Sequence, residues 1–206
     1  MSLTLFHSPL SPFVRKVVVL LHETGQIDRV TLQGAHLSPV APSAEVNRDN
    51  PAGKIPALRL EDGSVLHDSR VILDYLDHQH AGPPLIPREG AARWRALTLA
   101  SLADAILDAT VLLRYESALR PEDKRWDAWQ AGQREKIQRT LDYLESAAID
   151  ELASRFDIAA IGAACALGYL DLRLADFAWR ERYPRLAHWY AQAQQRPSMR
   201  ASAPPA

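Results

Sequence analysis

Apolar positions follow two rhythms along this chain, and the change falls near residue 80. Before it, short apolar stretches alternate with helical ones. Leu3-Thr4-Leu5-Phe6 reads as a strand, and residues 12–24 as a helix closed by Gly25, since the position after a helix favours glycine. Val30-Thr31-Leu32 reads as a second strand. Residues 56–60 and 64–67 alternate around Glu61-Asp62-Gly63, the signature of a hairpin. Over 68–79, Val71, Ile72, Tyr75 and Leu76 fall at helical spacing. The order strand-helix-strand, a connection, then hairpin-helix predicts a right-handed βαβ unit joined to an antiparallel hairpin, hence a mixed sheet.

The stretch "AGPPLIPREG", residues 81–90, holds three prolines and two glycines and reads as a linker. Beyond it nothing reads as a strand. Helical stretches cover 91–117, 127–152, 158–174 and 184–196, and Ile137, Leu141, Leu144 and Ala148 form an amphipathic stripe. The expected organisation is an α/β domain over 1–80, a linker over 81–90 and an all-α domain over 91–206, with the tail "ASAPPA" disordered. No internal repeat is evident.

Charge narrows the function classes. With 24 Lys+Arg against 25 Asp+Glu, no basic excess points to nucleic acid or an anionic membrane. The longest apolar run, residues 17–21, is far too short to cross a bilayer, and the N-terminal residues lack the basic start of a secretory signal. A single cysteine, Cys165, cannot form an internal disulfide, which fits a reducing cytoplasm.

Candidate chemistry begins at "HSPLSPFVRK", residues 7–16, with two Ser-Pro pairs. Either serine could cap a helix with proline at its first position. With Ser8 as cap, Pro12 would fall at the fourth position, where the absent N–H and the ring clash cost about 3 kcal/mol. With Ser11 as cap, Pro12 sits at the first position and no donor is missed, so the helix starts at Ser11. A hydroxyl there lies at the positive end of a helix dipole, which stabilises anions and lowers the pKa of a thiol held nearby. From spacing alone Ser11 is a cap, with or without that second role.

Two more stretches add candidates. In "NPAGKIPAL", residues 50–58, Pro56 suits the entry to an edge strand. In "HDSRVILDYLD", residues 67–77, Asp68 and Ser69 open a helix, either as caps or as a carboxylate site using the Ser69 hydroxyl and N–H, with Asp68 free to pair with an ammonium group. A cleft joining Ser11, Ile55, Asp68 and Ser69 would suit a small, zwitterionic, peptide-like thiol.

These three stretches, with "ADAILDATVLLRYE" (103–116), "QREKIQRTLDYLE" (133–145) and "ACALGYLDLR" (164–173), resemble glutathione transferases, specifically the cytosolic, serine-type, YibF-like bacterial group. The resemblance implies a thioredoxin-like domain followed by an all-helical bundle, glutathione as co-substrate, no metal, and a homodimer with a detoxifying role. It implies that Ser11 donates a hydrogen bond to the glutathione sulfur. It places the cysteinyl part of glutathione on the backbone of Ile55, before a cis Pro56, and the γ-glutamyl ammonium and carboxylate on Asp68 and Ser69. Lys54 is the implied partner of the glycyl carboxylate, with His36 the weaker choice. Asp104 matches an acid that in some relatives reaches the other subunit's glutathione, and Arg114 and Tyr115 fall on the helix that often lines the electrophile site.

Two departures from the wider superfamily matter. Ser11 stands where glutaredoxins and cysteine-type transferases carry Cys, so disulfide exchange on this residue is unavailable. Near residue 158, Asp157 can cap a helix but Ala160 cannot complete a capping box. Other residues have plain readings: Cys165 as a buried small hydrophobe, Trp126 and Trp129 as packing or as part of the second-substrate pocket, Arg15 and Lys16 as solvated, and His78 and His80 at a spacing unsuited to zinc. The expected function is conjugation of glutathione to a small hydrophobic electrophile. The alternatives are a glutathione-binding interaction module and a glutathione-dependent peroxidase, isomerase or dehalogenase.

Overall fold

A computed structural model describes residues 3–205. Its N-terminal elements are β1 (Leu3–His7), α1 (Pro12–Glu23), β2 (Val30–Gly34), α2 (Ala44–Asp49), β3 (Leu58–Arg59), β4 (Val65–Leu66) and α3 (Ser69–Asp77). They form a four-stranded sheet ordered β2-β1-β3-β4. β1 runs parallel to β2 (Leu3↔Val30 through His7↔Gly34) and antiparallel to β3 (Leu5↔Leu58), and β3 is antiparallel to β4 (Leu58↔Leu66). This is the mixed sheet of a thioredoxin-like domain. Alternation along β1 sends Phe6 to the face opposite Leu3 and Leu5. There Phe6 meets Ala35, Val46 and Ala57, flanked by Leu37, Ile55 and Val65.

Val46 belongs to α2, where the sequence had shown only a connection. A six-residue helix burying one valine is too short to display a period. Its legible signal was the cap, Ser43, whose hydroxyl accepts from Val46 N at 3.3 Å. The hairpin strands are shorter than expected. Pro56 has no N–H to give a ladder, and after the turn Ser64 N is drawn to Asp62 Oδ1 at 2.9 Å.

The helical part comprises α4 (Gly90–Ala118), α5 (Asp127–Tyr143), α6 (Ile149–Ser154), α7 (Ile158–Arg173), α8 (Trp179–Arg182) and α9 (Pro184–Ala193). Every residue of α7 from Ile158 to Leu170 is buried, as befits a helix apolar all round. Asp157 caps it on Ala159 N at 2.9 Å and Ala160 N at 3.2 Å, so the missing box partner is not needed. Gly162 lets α7 approach α4 closely, since a Cβ there would lie 3.1 Å from Ala103 Cβ. By length and composition α4 could cross a membrane, but half of its most apolar window is buried in the protein, as in a core helix.

The single helix expected over 127–152 is interrupted by a π turn, Leu144–Ala148. The reason lies forty residues on. Glu145 accepts from Arg185 N (2.9 Å) and Leu186 N (2.8 Å), two donors in the first turn of α9, which has no side-chain cap of its own. Arg185 Nη1 in turn donates to the Glu145 carbonyl at 3.1 Å.

Packing divides the chain into two units, Met1–Leu85 with Arg196–Ala206, and Ile86–Gln195. The final segment, α10 (Pro197–Ala201), therefore packs with the α/β unit, where the sequence had assigned it to the helical domain. Arg196 binds Glu23 of α1 through Nε at 2.9 Å and Nη2 at 2.7 Å, and the Ser198 hydroxyl donates to the same carboxylate. Ser202, expected to be disordered, donates its N–H to Ser198 O at 3.2 Å, and Arg15 donates to Met199 O at 3.1 Å. Arg15 and Lys16 are not solvated as expected. Lys16 is buried, with its ammonium 5.3 Å from the Phe13 ring centroid.

Candidate functional site

Strand order brings the N-terminal candidates to one edge of the sheet. β1 leaves the sheet at His7 and leads to Ser11. Because β3 is antiparallel to β1, its entry lies at that same edge, and Phe6 N donates to Ala57 O at 2.9 Å just after Ile55-Pro56. β4, antiparallel to β3, exits there to Asp68 and Ser69. β2, parallel to β1, also exits there to Ala35 and His36, where Ala35 N donates to His7 O at 2.8 Å.

Each segment presents unspent hydrogen-bonding capacity at this edge. Ser11 is the N-cap of α1, in extended backbone (φ −86°, ψ 116°), with Pro12 at the first helical position. Its hydroxyl oxygen accepts from Val14 N at 3.3 Å, which leaves the O–H proton free to donate. Ser8 stays in the approach, its carbonyl accepting from Ser11 N at 3.0 Å. The Ile55–Pro56 and His67–Asp68 peptide bonds are cis. Among the described residues, neither the N–H nor the C=O of Ile55 has a hydrogen-bond partner.

Asp68 caps α3, its Oδ1 accepting from Arg70 N at 2.8 Å and from the Ser69 hydroxyl at 3.3 Å. Its Oδ2 has no partner among the described residues. Ser69 is 3% exposed and its N–H points out of the first turn of α3. Two helix N-termini, those of α1 and α3, thus meet the edge with their positive ends, a field that favours anions. His7 is pushed below its ordinary range by burial, so it adds no charge at neutral pH. Lys54 and His36 are exposed at the same edge.

The remaining candidates lie in the helical unit, on α4. Asp104 is 2% exposed and has a partner within the chain. Arg114 is exposed and Tyr115 half-buried. Two residues overlooked in the sequence, Tyr169 and Arg173 of α7, lie beside them. Arg173 sits 5.8 Å from the centroid of the Tyr169 ring. Their i, i+4 spacing was visible but reads equally as ordinary helix packing. Trp126, expected to pack, is 66% exposed, while its backbone N–H is held by the buried Glu116 at 3.0 Å. Cys165 is buried, as expected.

Family models for the N-terminal and C-terminal domains of glutathione S-transferase match residues 5–84 and 127–192. The chain belongs to the glutathione S-transferase family. It is 34% identical over 197 residues, 95% of each chain, to the GST-like protein YibF of Escherichia coli. A crystal structure of a glutathione transferase family member from Pseudomonas fluorescens, with bound glutathione, is 67% identical, covers both chains completely and superposes with a TM-score of 0.99. Another from the same organism, with bound S-(propanoic acid)-glutathione, is 65% identical over 99% of this chain and all of that one, with a TM-score of 0.94.

Proposed function

We propose that this chain is a glutathione transferase that holds glutathione along the described sheet edge and conjugates it to a small electrophile. The observation that carries the reading is the convergence there of the Ser11 hydroxyl, the unpaired Ile55 backbone and the Asp68–Ser69 helix start. The Ile55 N–H and C=O would pair with the cysteinyl backbone of glutathione. Asp68 Oδ2 would take the γ-glutamyl ammonium, and the Ser69 N–H its carboxylate, joined by the Ser69 hydroxyl once that turns from Asp68 Oδ1. Lys54 would meet the glycyl carboxylate as a mobile point charge, with His36 second to it.

Catalysis in this reading is thiolate stabilisation. The thiol gives its proton to solvent, and the Ser11 O–H donates to the resulting sulfur anion, reinforced by the α1 dipole. Sulfur then forms a bond to an electrophilic carbon, and the electron pair leaves with the departing group or moves along the acceptor. We assign the electrophile to the α4 region bearing Arg114 and Tyr115. The bound glutathione and S-(propanoic acid)-glutathione of the two Pseudomonas relatives support a thioether product at such a site. Asp104, buried on α4, is assigned to the glutathione of the other subunit, the role its counterpart has in some relatives. A homodimer in a reducing cytoplasm fits the family and the single buried cysteine, and sedimentation at micromolar concentration tests the dimer.

The decisive experiment pairs calorimetric titration of glutathione with a conjugation assay over a panel of aryl halides and activated alkenes. Saturable binding with turnover of at least one electrophile is expected. Binding without turnover of any would replace this reading with that of a glutathione-binding module.

A further inference from the structure

In the helical unit, Arg95, Arg120, Arg134, Arg180 and Arg185 each reach a carboxylate within 2.9 Å. Among the described residues Arg114 and Arg173 reach none; Arg125, which donates to Ser117 O, and Arg182, which lies over the Phe177 and Tyr183 rings, reach none either. An exposed arginine without an acid is ordinary, and a cation near a helix C-terminus, where Arg173 sits, is favoured by the dipole alone. Neither explanation covers what Arg114 and Arg173 share. Both act electrostatically on the Tyr169 phenol, which is 7% exposed, as does Tyr115 from α4, the helix packed on α7. Burial pushes the Tyr169 hydroxyl up, while Arg173 and Arg114 pull it back without offsetting burial, so it stays protonated and able to donate. Arg173 Nε is buried and has no hydrogen-bond partner among the described residues, a donor that native structures rarely leave unmet.

Where α4 meets α7, then, two guanidinium groups and two phenols gather without an acid. Guanidinium forks and phenolic O–H groups are the donors that recognise a carboxylate. We propose that Arg114, Tyr115, Tyr169 and Arg173 bind the carboxylate of the second substrate, making this transferase selective for electrophiles that carry an acid group. The inference rests on the transferase reading above and specifies its substrate class. It narrows the expected small hydrophobic electrophile to one with an apolar reactive body and an anionic end.

The test uses a matched pair of aryl chlorides, a chlorodinitrobenzoate and the corresponding benzamide. In each, the glutathione sulfur bonds to the ring carbon, chloride leaves with its electron pair, and the thiol proton passes to buffer. The readout is the ratio of kcat/KM for benzoate over benzamide, each corrected for its uncatalysed rate with glutathione. The parent protein is expected to favour the benzoate. Arg173→Gln and Arg114→Gln should each lower that ratio about tenfold, the loss of one charged hydrogen bond. Arg173→Lys, which keeps the charge, should restore part of it. A parent with no preference, or a ratio that neither glutamine variant moves, overturns the proposal while leaving the transferase reading intact.

Should neither aryl chloride turn over, the wider electrophile panel decides the transferase reading, and binding decides the carboxylate site separately. Calorimetry would compare S-(carboxyethyl)glutathione with S-(carbamoylethyl)glutathione. Tighter binding of the acid by the parent, lost in Arg173→Gln, supports the site. Equal binding of the two, or binding of neither, overturns it.

Discussion

Ser11 holds two separable jobs, and replacing it with glycine rather than alanine separates them. As an N-cap it accepts from Val14 N at 3.3 Å, the long end of a hydrogen bond, so alanine should cost about 0.5–1 kcal/mol of stability. Glycine at an N-cap costs only about a few tenths of a kcal/mol. Both variants remove the hydroxyl proposed to donate to the glutathione sulfur. A hydrogen bond to a charged group contributes about 1.5–3 kcal/mol. At about 1.4 kcal/mol per pKa unit, its loss raises the bound thiol by roughly one to two units.

That shift reduces the ionised fraction at neutral pH by about tenfold to a hundredfold. The more basic thiolate is intrinsically the better nucleophile, with a Brønsted slope of about 0.4–0.5, which recovers close to half of the logarithmic loss. The net expectation for Ser11→Gly is a fall in kcat of about three- to tenfold at neutral pH. The deficit should close as pH rises past the shifted pKa. The assay is the pH profile of kcat beside the ultraviolet absorbance of the bound thiolate, with thermal melts of both variants. Ser11→Ala should match Ser11→Gly in its pH profile and melt lower. A Ser11→Gly protein with the parent's profile refutes the donor assignment, and a larger loss from Ser8→Gly would transfer it to Ser8.

Three further expectations concern the scaffold. Glu145→Ala should destabilise the helical unit by about 1–2 kcal/mol, because two first-turn donors of α9 lose their acceptor; urea unfolding of the variant measures it, and an unchanged midpoint would mean water replaces the carboxylate freely. Gly162→Leu should cost about 1–3 kcal/mol or more by forcing α7 away from Ala103, read as a lowered Tm with glutathione affinity retained. Burial pushes the Glu23 carboxyl up, but the hydrogen bonds from Arg196 and Ser198 outweigh it and hold the group below its ordinary 4.5. Its contribution is therefore fully present above that value and is lost as pH falls through the lower, folded one. Melts between pH 6 and 3 should show a shallower acid slope in Arg196→Ala than in the parent, and identical slopes would remove the C-terminal clamp from the account.

What could be read in the sequence is what acts over a few residues. Pro12 lacks an N–H, and that single absence placed the start of α1 at Ser11 before any fold was known. Asp62-Gly63 marked the hairpin for the same reason. The rest depended on partners far along the chain. Glu145, in the π turn, caps donors 40 and 41 residues away, and Arg196 finds Glu23 across 173 residues, so neither leaves a local pattern. The candidate site shows both cases. Its residues were individually visible as caps and prolines, yet nothing local to Ser11, Ile55 or Asp68 says that they meet. The antiparallel pairing of β3 with β1 and of β4 with β3 brings them to one edge. The cluster at Tyr169 went further out of reach, because its sense lies in an absence, two arginines without an acid, that no spacing can display. If it confers selectivity for acidic electrophiles, relatives that keep the sheet edge but differ at 114, 169 and 173 should share glutathione binding and differ in substrate.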